Sequence, residues 1–318
     1  MQSRNPRLGY LLVCLGASLF ILNAGVSRVV LRGGVDPATL TTVRVTGTAV
    51  ALALVALLVR RTALRPPRGR LLLLVVALGL TGVALLQWTY FVAIDRLTVG
   101  LALLLEYLAP VLVALWARLV QHEPVRNRLW FALALSVLGL AVTAQVWQGF
   151  RLDPVGVAAG FGAALAFSAY FLIGEHGVNT ADPMQVMLWA FVAAALACNL
   201  VQPITNLSTQ LAATTVSLLG TLDEHALSLW LLLGWVVVLG TVVPFGVELV
   251  ALQHLKATSV TTVAMLEPVG ASVLGWTWFG ESLTPVQVGG GAAVVAGIFL
   301  AQSARRQPPS REQAAAIV

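Results

Sequence analysis

The sequence predicts an all-α integral membrane protein with ten transmembrane helices, arranged as two inverted five-helix repeats. Three observations predict it: the composition, the spacing of the apolar stretches and a motif that occurs twice. Of the 318 residues, 58% are hydrophobic and only 10% are charged. A soluble domain of this length cannot bury so much apolar surface, so the composition indicates that lipid surrounds the chain.

Ten apolar stretches are long enough to be membrane spans, since about 20 apolar residues cross ~30 Å of hydrocarbon. Most of the connections are short, so neighbouring spans are expected to form antiparallel hairpins. The longest connection, residues 204–227, is predicted to be either a short interfacial helix or a plain loop. The predicted spans lie near residues 8–27, 38–59, 71–94, 99–118, 128–146, 155–174, 184–203, 228–252, 258–279 and 285–303.

A proline followed thirteen residues later by a glutamate occurs in both halves of the chain. An offset of 158 residues superposes Pro110 on Pro268 and Glu123 on Glu281. The two glutamates close spans with similar surroundings, which favours a structural role in capping or hairpin contact. The recurrence indicates that the chain is a duplicated unit.

The first repeat is predicted over residues 8–146 and the second over residues 155–303, followed by a cytoplasmic tail at residues 304–318. Five spans is an odd number, so the second repeat enters the bilayer from the side opposite the first. Inverted repeats of this kind are typical of transporters that work by alternating access.

The positive charges orient the chain in the membrane. With the N-terminus inside, fourteen of the nineteen Lys and Arg residues are cytoplasmic, four lie outside and Arg44 falls within a span. The bias predicts a multi-pass protein of the inner (plasma) membrane with both termini in the cytoplasm. The net charge of +6 therefore orients the protein, and nucleic-acid binding is not expected. The cytoplasmic set is Arg4, Arg7, Arg60, Arg61, Arg65, Arg68, Arg70, Arg118, Arg126, Arg128, Lys256, Arg305, Arg306 and Arg311, and the outer set is Arg28, Arg32, Arg96 and Arg151.

The sequence contains no phosphate-binding loop and no HExxH or CxxC spacing. It therefore predicts no metal, no cofactor and no direct use of ATP. The four histidines lie in or beside the predicted loops, which gives little support to His-based catalysis. A membrane-embedded enzyme is kept only as a remote alternative.

Over nearly its whole length the chain resembles the EamA-type drug/metabolite transporters. The resemblance rests on the paired halves and on TVRVTGTAVALALVALL in the second span, which contains Arg44. The stretches LLLEYLAPVLVAL, VVPFGVELVALQHL and MLEPVGASVLGWTWFGESLTP are most similar to the threonine/homoserine exporter branch. The resemblance implies a ten-helix exporter of amino acids or related metabolites, with a central cavity lined by helices 1, 3, 4, 6, 8 and 9.

Three carboxylates fall within the predicted spans, where an ionisable group is costly unless it faces a partner or a water-filled cavity. Glu106 and Glu267 lie roughly 10–14 Å deep at 1.5 Å per residue, and Glu248 lies about one turn from the cytoplasmic end of its helix. All three are candidate substrate-binding residues. The alternatives are hydrogen bonds that only hold the bundle together and, for Glu248, snorkelling to water.

Aromatic and amide side chains supply further candidates for a cavity wall. The third span offers Gln87, Trp88 and Phe91, the sixth offers Tyr170 and the first offers Asn23. Aromatic residues also line membrane interfaces, and an asparagine also forms hydrogen bonds between helices, so both structural roles stay open.

Three prolines and one arginine complete the candidates. Pro110, Pro268 and Pro244 each remove a backbone donor and are predicted to kink their helices, either as fixed bends or as gating hinges. Arg44 lies about six residues into the second span. A structural ion pair is favoured for it over contact with a substrate carboxylate.

Together these features predict a secondary exporter of amino acids or related small metabolites, with proton exchange as the candidate coupling. Its partners would be the small-molecule substrate, the lipid bilayer and protons. Export of drugs, sugars or other small organic molecules on the same fold is the alternative. Phosphate-bearing substrates call for several cavity arginines, and Arg44 is the one available. The sequence leaves a monomer and a homodimer equally open.

Overall fold

The computed structural model describes residues 5–97, 99–123, 126–145, 153–208, 213–280 and 282–303. Over these residues the chain is almost entirely helical. Its helices are α1 Pro6–Arg32, α2 Pro37–Val59, α3 Arg70–Ala77, α4 Leu86–Arg96, α5 Val99–Glu106, α6 Ala109–Leu119, α7 Asn127–Thr143, α8 Pro154–Thr180, α9 Pro183–Val201, α10 Leu229–Val237, α11 Val243–His254, α12 Ala257–Ala264, α13 Leu266–Phe279 and α14 Pro285–Ser303. A π-helical segment joins α3 to α4 at Leu78–Leu85, and another joins α10 to α11 at Val238–Val242.

Within the described residues, eight helical stretches are long and apolar enough to cross a membrane. They are Pro6–Arg32, Pro37–Val59, Arg70–Tyr90, Ala102–Leu119, Pro154–Thr180, Pro183–Val201, Leu229–His254 and Ala257–Phe279. Two shorter apolar helices, Asn127–Thr143 and Pro285–Ala301, coincide with the other two predicted spans. The prediction of a multi-pass, all-helical membrane protein is confirmed, and the structure supports eight of the ten predicted spans by length.

Three helices begin at an Asp-Pro pair. Asp36, Asp153 and Asp182 cap α2, α8 and α9, each accepting a hydrogen bond from a backbone N–H two or three residues later. The proline that follows has no N–H to leave unsatisfied in the first turn. The bond from the Gly156 backbone also lowers the pKa of the exposed Asp153 carboxyl, because it favours the ionised form.

Two of the long spans are broken near their centres. α5 ends at Glu106 and α6 begins at Ala109, while α12 ends at Ala264 and α13 begins at Leu266. A proline lies in the first turn after each break, and its missing N–H cannot continue the hydrogen-bond ladder of the preceding helix. The breaks bring non-helical backbone to the middle of the bundle.

Close approach between helices depends on glycine where α7 meets α14. A Cβ added at Gly139 would lie 2.7 Å from the carbonyl oxygen of Gly290, and one added at Gly297 would lie 2.7 Å from that of Ala132. The two backbones are therefore in direct contact. Small residues at a helix interface allow such close approach within a membrane.

The long connection before α10 contains a small β-hairpin, a feature that the sequence prediction of an interfacial helix or a plain loop did not include. Strand β1, Thr215–Ser217, pairs antiparallel with β2, Ala226–Ser228. The indole N–H of Trp278 donates to the carbonyl oxygen of Leu218 at 3.0 Å, and Val216 packs against Gly33 at the end of α1. The hairpin satisfies its own backbone groups while covering one end of the bundle.

Candidate functional site

Two carboxyl groups from the second half of the chain meet in the centre of the bundle. Glu248 of α11 is only 1% exposed, which is the opposite of what snorkelling requires. Glu267 lies in the first turn of α13, close enough to Glu248 for the two groups to interact electrostatically. Gly16 of α1 makes room for this arrangement, since a Cβ there would lie 3.2 Å from Cγ of Glu248.

A tyrosine from the first half of the chain supports this pair. The hydroxyl of Tyr107, at the break between α5 and α6, donates a hydrogen bond to Oε2 of Glu267 at 2.8 Å. Glu106, the preceding residue, is partly buried and also interacts electrostatically with Glu267. The two helix breaks therefore place three carboxyl groups, Glu106, Glu248 and Glu267, in one electrostatically connected cluster.

Three polar atoms in this cluster or next to it have no hydrogen-bond partner among the described residues. They are Oε1 of Glu248, Oε1 of Glu267 and the hydroxyl of Tyr170. Tyr170 of α8 is 1% exposed and interacts electrostatically with both glutamates. A buried polar atom without a partner costs about 1–3 kcal/mol. Three of them together mark a place that suits a polar or cationic ligand.

Aromatic rings surround the cluster, with Phe245 of α11 at the centre of their contacts. Its ring makes edge contacts with Phe20 at 5.1 Å, Tyr170 at 5.4 Å and Phe191 at 5.4 Å between ring centroids. These residues come from four different helices. The rings therefore form an apolar wall beside the carboxyl groups, in the edge-to-face geometry that aromatic pairs prefer.

Arg44 lines a small cavity together with Phe245. Its Nε donates to the hydroxyl of Thr241 at 3.3 Å, and the same small cavity of about 10 Å³ is lined by Gln87 and Phe245. Among the described residues no carboxylate is within ion-pair distance of Arg44, so the expected structural ion pair is replaced by a hydrogen bond to a hydroxyl.

The remaining candidates lie at different distances from this centre. Asn23 is 5% exposed, and its Oδ1 packs against Gly240 in the π-helical segment before α11. Trp88, expected in a cavity wall, is 56% exposed on α4. An isolated apolar helix does not reveal which face it buries, so the sequence could not separate Trp88 from its neighbour Gln87. Phe91 belongs to α4, but its side chain lies outside the described part of the structure.

The three candidate prolines all follow irregular backbone. Pro110 is the second residue of α6, Pro268 is the third residue of α13, and Pro244 follows the π-helical segment as the second residue of α11. The sequence did not single out Tyr107, Phe245 or Thr241. Tyr107 could have been noted from its position beside Glu106 and before Pro110, whereas the other two are recognised only through their contacts in space.

A larger cavity of about 200 Å³ opens at the end of the bundle that carries Lys256. Lys256 connects α11 to α12, and its ammonium forms an ion pair with Glu123, which follows α6. His176 and Asn179 of α8 line the same cavity, and so does the buried Val113 of α6. The cavity therefore reaches from an exposed, charged rim to the inner surface of a broken helix.

A multi-pass helical bundle with broken helices and ionisable groups buried at its centre is the architecture of a membrane transporter. Comparison with protein families agrees with this class. The model of the EamA-like transporter family matches residues 7–145 and again residues 154–302. The chain therefore belongs to the EamA-like transporter family, and the resemblance noted from its paired motifs is confirmed.

Individual relatives are more distant. The chain is 27% identical to the threonine/homoserine exporter RhtA of Salmonella typhimurium over 248 residues, covering 77% of this chain and 75% of that protein. It is 28% identical to RhtA of Escherichia coli K12 over 71% of this chain and 69% of that protein. An uncharacterized transporter of Archaeoglobus fulgidus is 26% identical over 67% of this chain and 70% of its own length.

A crystal structure shares the fold. It superposes with a TM-score of 0.75 at 18% sequence identity, covering 97% of this chain and all of the other. At this identity the match speaks for the fold alone.

Proposed function

We propose that this protein is a secondary transporter that exports amino acids or related small metabolites. The observation that carries the proposal concerns Glu248 and Glu267 of the carboxyl cluster and the neighbouring Tyr170: each has one buried polar atom without a partner among the described residues. Two neighbouring carboxylates repel each other, and a substrate ammonium group between them relieves the repulsion. The names of the relatives from Salmonella typhimurium and Escherichia coli support an amino-acid substrate.

In the proposed mechanism, ten transmembrane helices form two inverted repeats, residues 8–146 and 155–303, that move against each other. The protein lies in the inner membrane, and both of its termini are in the cytoplasm. The contact between Tyr107 of the first repeat and Glu267 of the second supports a site at the junction of the repeats. The prolines after the helix breaks, Pro110 and Pro268, supply the points at which the helices bend.

Proton exchange is the proposed coupling. A proton and a substrate ammonium would compete for the same carboxyl groups, so loading of one would require release of the other. The proton and the ammonium group compete at Glu248 and Glu267, and Glu106 is near enough to influence the competition.

Export of drugs, sugars or other small organic molecules is the second candidate, because the aromatic wall around Phe245 suits an apolar solute. The family's other members transport rather than catalyse, so a membrane-embedded enzyme stays remote.

Transport by purified protein in liposomes tests the proposal. Vesicles loaded with radiolabelled threonine or homoserine should lose label faster with wild-type protein than without it. A proton gradient with the acidic side outside the vesicles should accelerate the loss, because protons then enter as the substrate leaves. Glu248→Gln and Glu267→Gln should each reduce the rate about tenfold or more, since each removes a charge-assisted contact. Glu224→Gln provides the matched control, because it makes the same chemical change at an exposed loop residue.

The outcomes separate the parts of the proposal. If no amino acid leaves the vesicles while a panel of apolar cations does, the second candidate replaces the first. If the rate is the same with and without the proton gradient, proton coupling is wrong even where amino-acid export is right. Equal rates for Glu248→Gln, Glu224→Gln and the wild type would show that the carboxyl cluster is not part of the binding site.

A further inference from the structure

We infer that the small cavity beside Arg44 is a second substrate station, which binds the carboxylate of the transported solute separately from the carboxyl cluster. The inference rests on the proposed function. The carboxyl cluster binds the ammonium group of the solute, and the Arg44 cavity then binds its carboxylate group. The cavity is lined by four polar and four apolar residues from four parts of the chain: Thr41, Arg44, Val45, Val83, Gln87, Phe191, Thr241 and Phe245.

The first argument is that most N–H donors of the Arg44 guanidinium have no acceptor among the described residues. A guanidinium carries five N–H donors, and among the described residues Arg44 makes one hydrogen bond, from Nε to Thr241 at 3.3 Å. No carboxylate of the described chain lies within ion-pair distance of it. A cation held at membrane depth without a counter-ion is costly, so an anion that enters the cavity is strongly favoured.

The second argument is the polarity of the other groups around the cavity. The hydroxyls of Thr241 and Thr41 already donate to the backbone carbonyls of Val236 and Pro37, at 2.6 and 2.9 Å. They are therefore occupied as donors. The donors left for an anion are the free N–H groups of Arg44 and the amide of Gln87, which makes no hydrogen bond within the described residues. A planar guanidinium with a neighbouring amide matches the geometry of a carboxylate.

The third argument concerns size and position. The cavity holds about 10 Å³, which is close to the space that one water molecule needs, so it can take one carboxylate oxygen. Thr241 and Glu248 are seven residues apart on the same helical stretch, which corresponds to roughly 10 Å along the axis. A small amino acid cannot span that distance between its ammonium and carboxylate groups. Arg44 and Glu248 therefore act on the solute in succession.

Phe245 lies next to both stations. Its ring lines the Arg44 cavity and also contacts Tyr170, which interacts with both glutamates of the cluster. In the proposed orientation the start of α2 is outside, so the Arg44 cavity is the later station during export.

The test compares two solutes that differ in the carboxylate alone, L-threonine and L-threoninol. In proteoliposomes, Arg44→Gln should reduce threonine efflux about tenfold or more, because charge-assisted bonds to the carboxylate are lost. It should leave threoninol efflux within about twofold of the wild type. Arg44→Lys should retain part of the threonine rate, and Gln87→Leu should reduce it by a smaller factor than Arg44→Gln. Arg32→Gln removes the same charge at the end of α1 and should change neither rate.

Several results would overturn the inference. One is an Arg44→Gln protein that loses both efflux rates equally or keeps both. If Arg44→Gln does not fold, as judged by its elution in detergent, Gln87→Leu decides the question: equal effects on the two solutes contradict a carboxylate station. If the wild type transports neither solute, the proposed function fails by itself. Calorimetry with L-lactate and the purified protein then tests the anion site in the cavity. Binding must be measurable in the wild type and absent in Arg44→Gln.

Discussion

At the scale of single residues, the hydrogen bond from Tyr107 to Glu267 is the most informative contact of the site. It satisfies one carboxyl oxygen of Glu267, while the other has no partner among the described residues. Tyr107→Phe removes the donor and keeps the ring, so both oxygens of Glu267 then lack a partner. We expect a loss of about 0.5–2 kcal/mol in the free energy of unfolding, measured by denaturation in detergent, together with slower transport.

A double-mutant cycle separates this contact from a general effect of the substitution. In a Glu267→Gln background the hydroxyl of Tyr107 has lost its charged acceptor, so adding Tyr107→Phe should cost clearly less than it does in the wild type. The ring contact with Phe167, at 5.8 Å between centroids, is kept in every member of the cycle. Purely additive free energies would show that the hydrogen bond is unimportant for the site.

The sequence predicted the acidic residues of the site better than the other groups. Glu248 and Glu267 are conspicuous because a charge in an apolar run has a cost that must be offset, whatever the fold around it. The role of Arg44 depended on which residue faces it across the bundle, and its partner Thr241 is 197 positions away. Trp88 shows the same limit, since neither its depth nor its residue type reveals which face of α4 is exposed.

At the scale of helices, the packing of α7 on α14 distinguishes two adjacent glycines. A Cβ at Gly290 would lie 2.6 Å from Oγ1 of Thr143 and 2.7 Å from the Gly139 carbonyl oxygen, whereas a Cβ at Gly289 would meet nothing within 4 Å. Gly290→Ala should therefore destabilise the protein by about 1–3 kcal/mol through overpacking. Gly289→Ala should be neutral or stabilise it by up to about 1 kcal/mol, because alanine favours a helix.

Thermal unfolding of the two variants in the same detergent provides the measurement, with the wild type as reference. The pair is its own control, since the chemical change is identical and the positions are neighbours. A destabilised Gly289→Ala, or a Gly290→Ala protein as stable as the wild type, would contradict direct backbone contact between α7 and α14.

Irregular segments are the part of the helices that the sequence described least well. The breaks before Pro110 and Pro268 follow from the missing proline N–H and could be expected. The π-helical segments Leu78–Leu85 and Val238–Val242 contain no proline. Within them, Gly79 and Gly240 bring backbone against the Ala190 carbonyl and the Asn23 side chain. Contacts of this kind leave no local signal in the sequence.

At the scale of the whole molecule, the apolar runs and the duplicated motif were sufficient to predict a multi-pass bundle of a transporter family. Both are properties of the chain alone, because lipid imposes length and apolar character on every span. The spatial arrangement of the site came only from the structure. Glu106 and Glu267 flank comparable helix breaks, and Glu248 adds a third carboxyl group, so the second half of the chain supplies two of the three carboxyl groups of the cluster.

The ion pair between Glu123 and Lys256 connects the two family-matched segments at the mouth of the larger cavity. The side chains are 35% and 50% exposed, so the pair should contribute only about 0.2–1 kcal/mol. If the segments move against each other during transport, that amount still changes the open fraction of the cavity roughly 1.4- to 5-fold. Breaking the pair should therefore expose the buried Val113, which lines the cavity, more often.

Cysteine labelling measures this exposure. In a protein whose native Cys14 and Cys198 are replaced by alanine, Val113→Cys should react with a charged, water-soluble thiol reagent faster after Glu123→Gln or Lys256→Gln. Exchanging the charges, with Glu123→Lys and Lys256→Glu together, should restore the slow rate, because the attraction is restored. Ala132→Cys, equally buried in α7, is the control whose rate should not respond. Labelling of Val113→Cys that is unchanged by both neutral variants would mean that the pair does not restrain the cavity mouth.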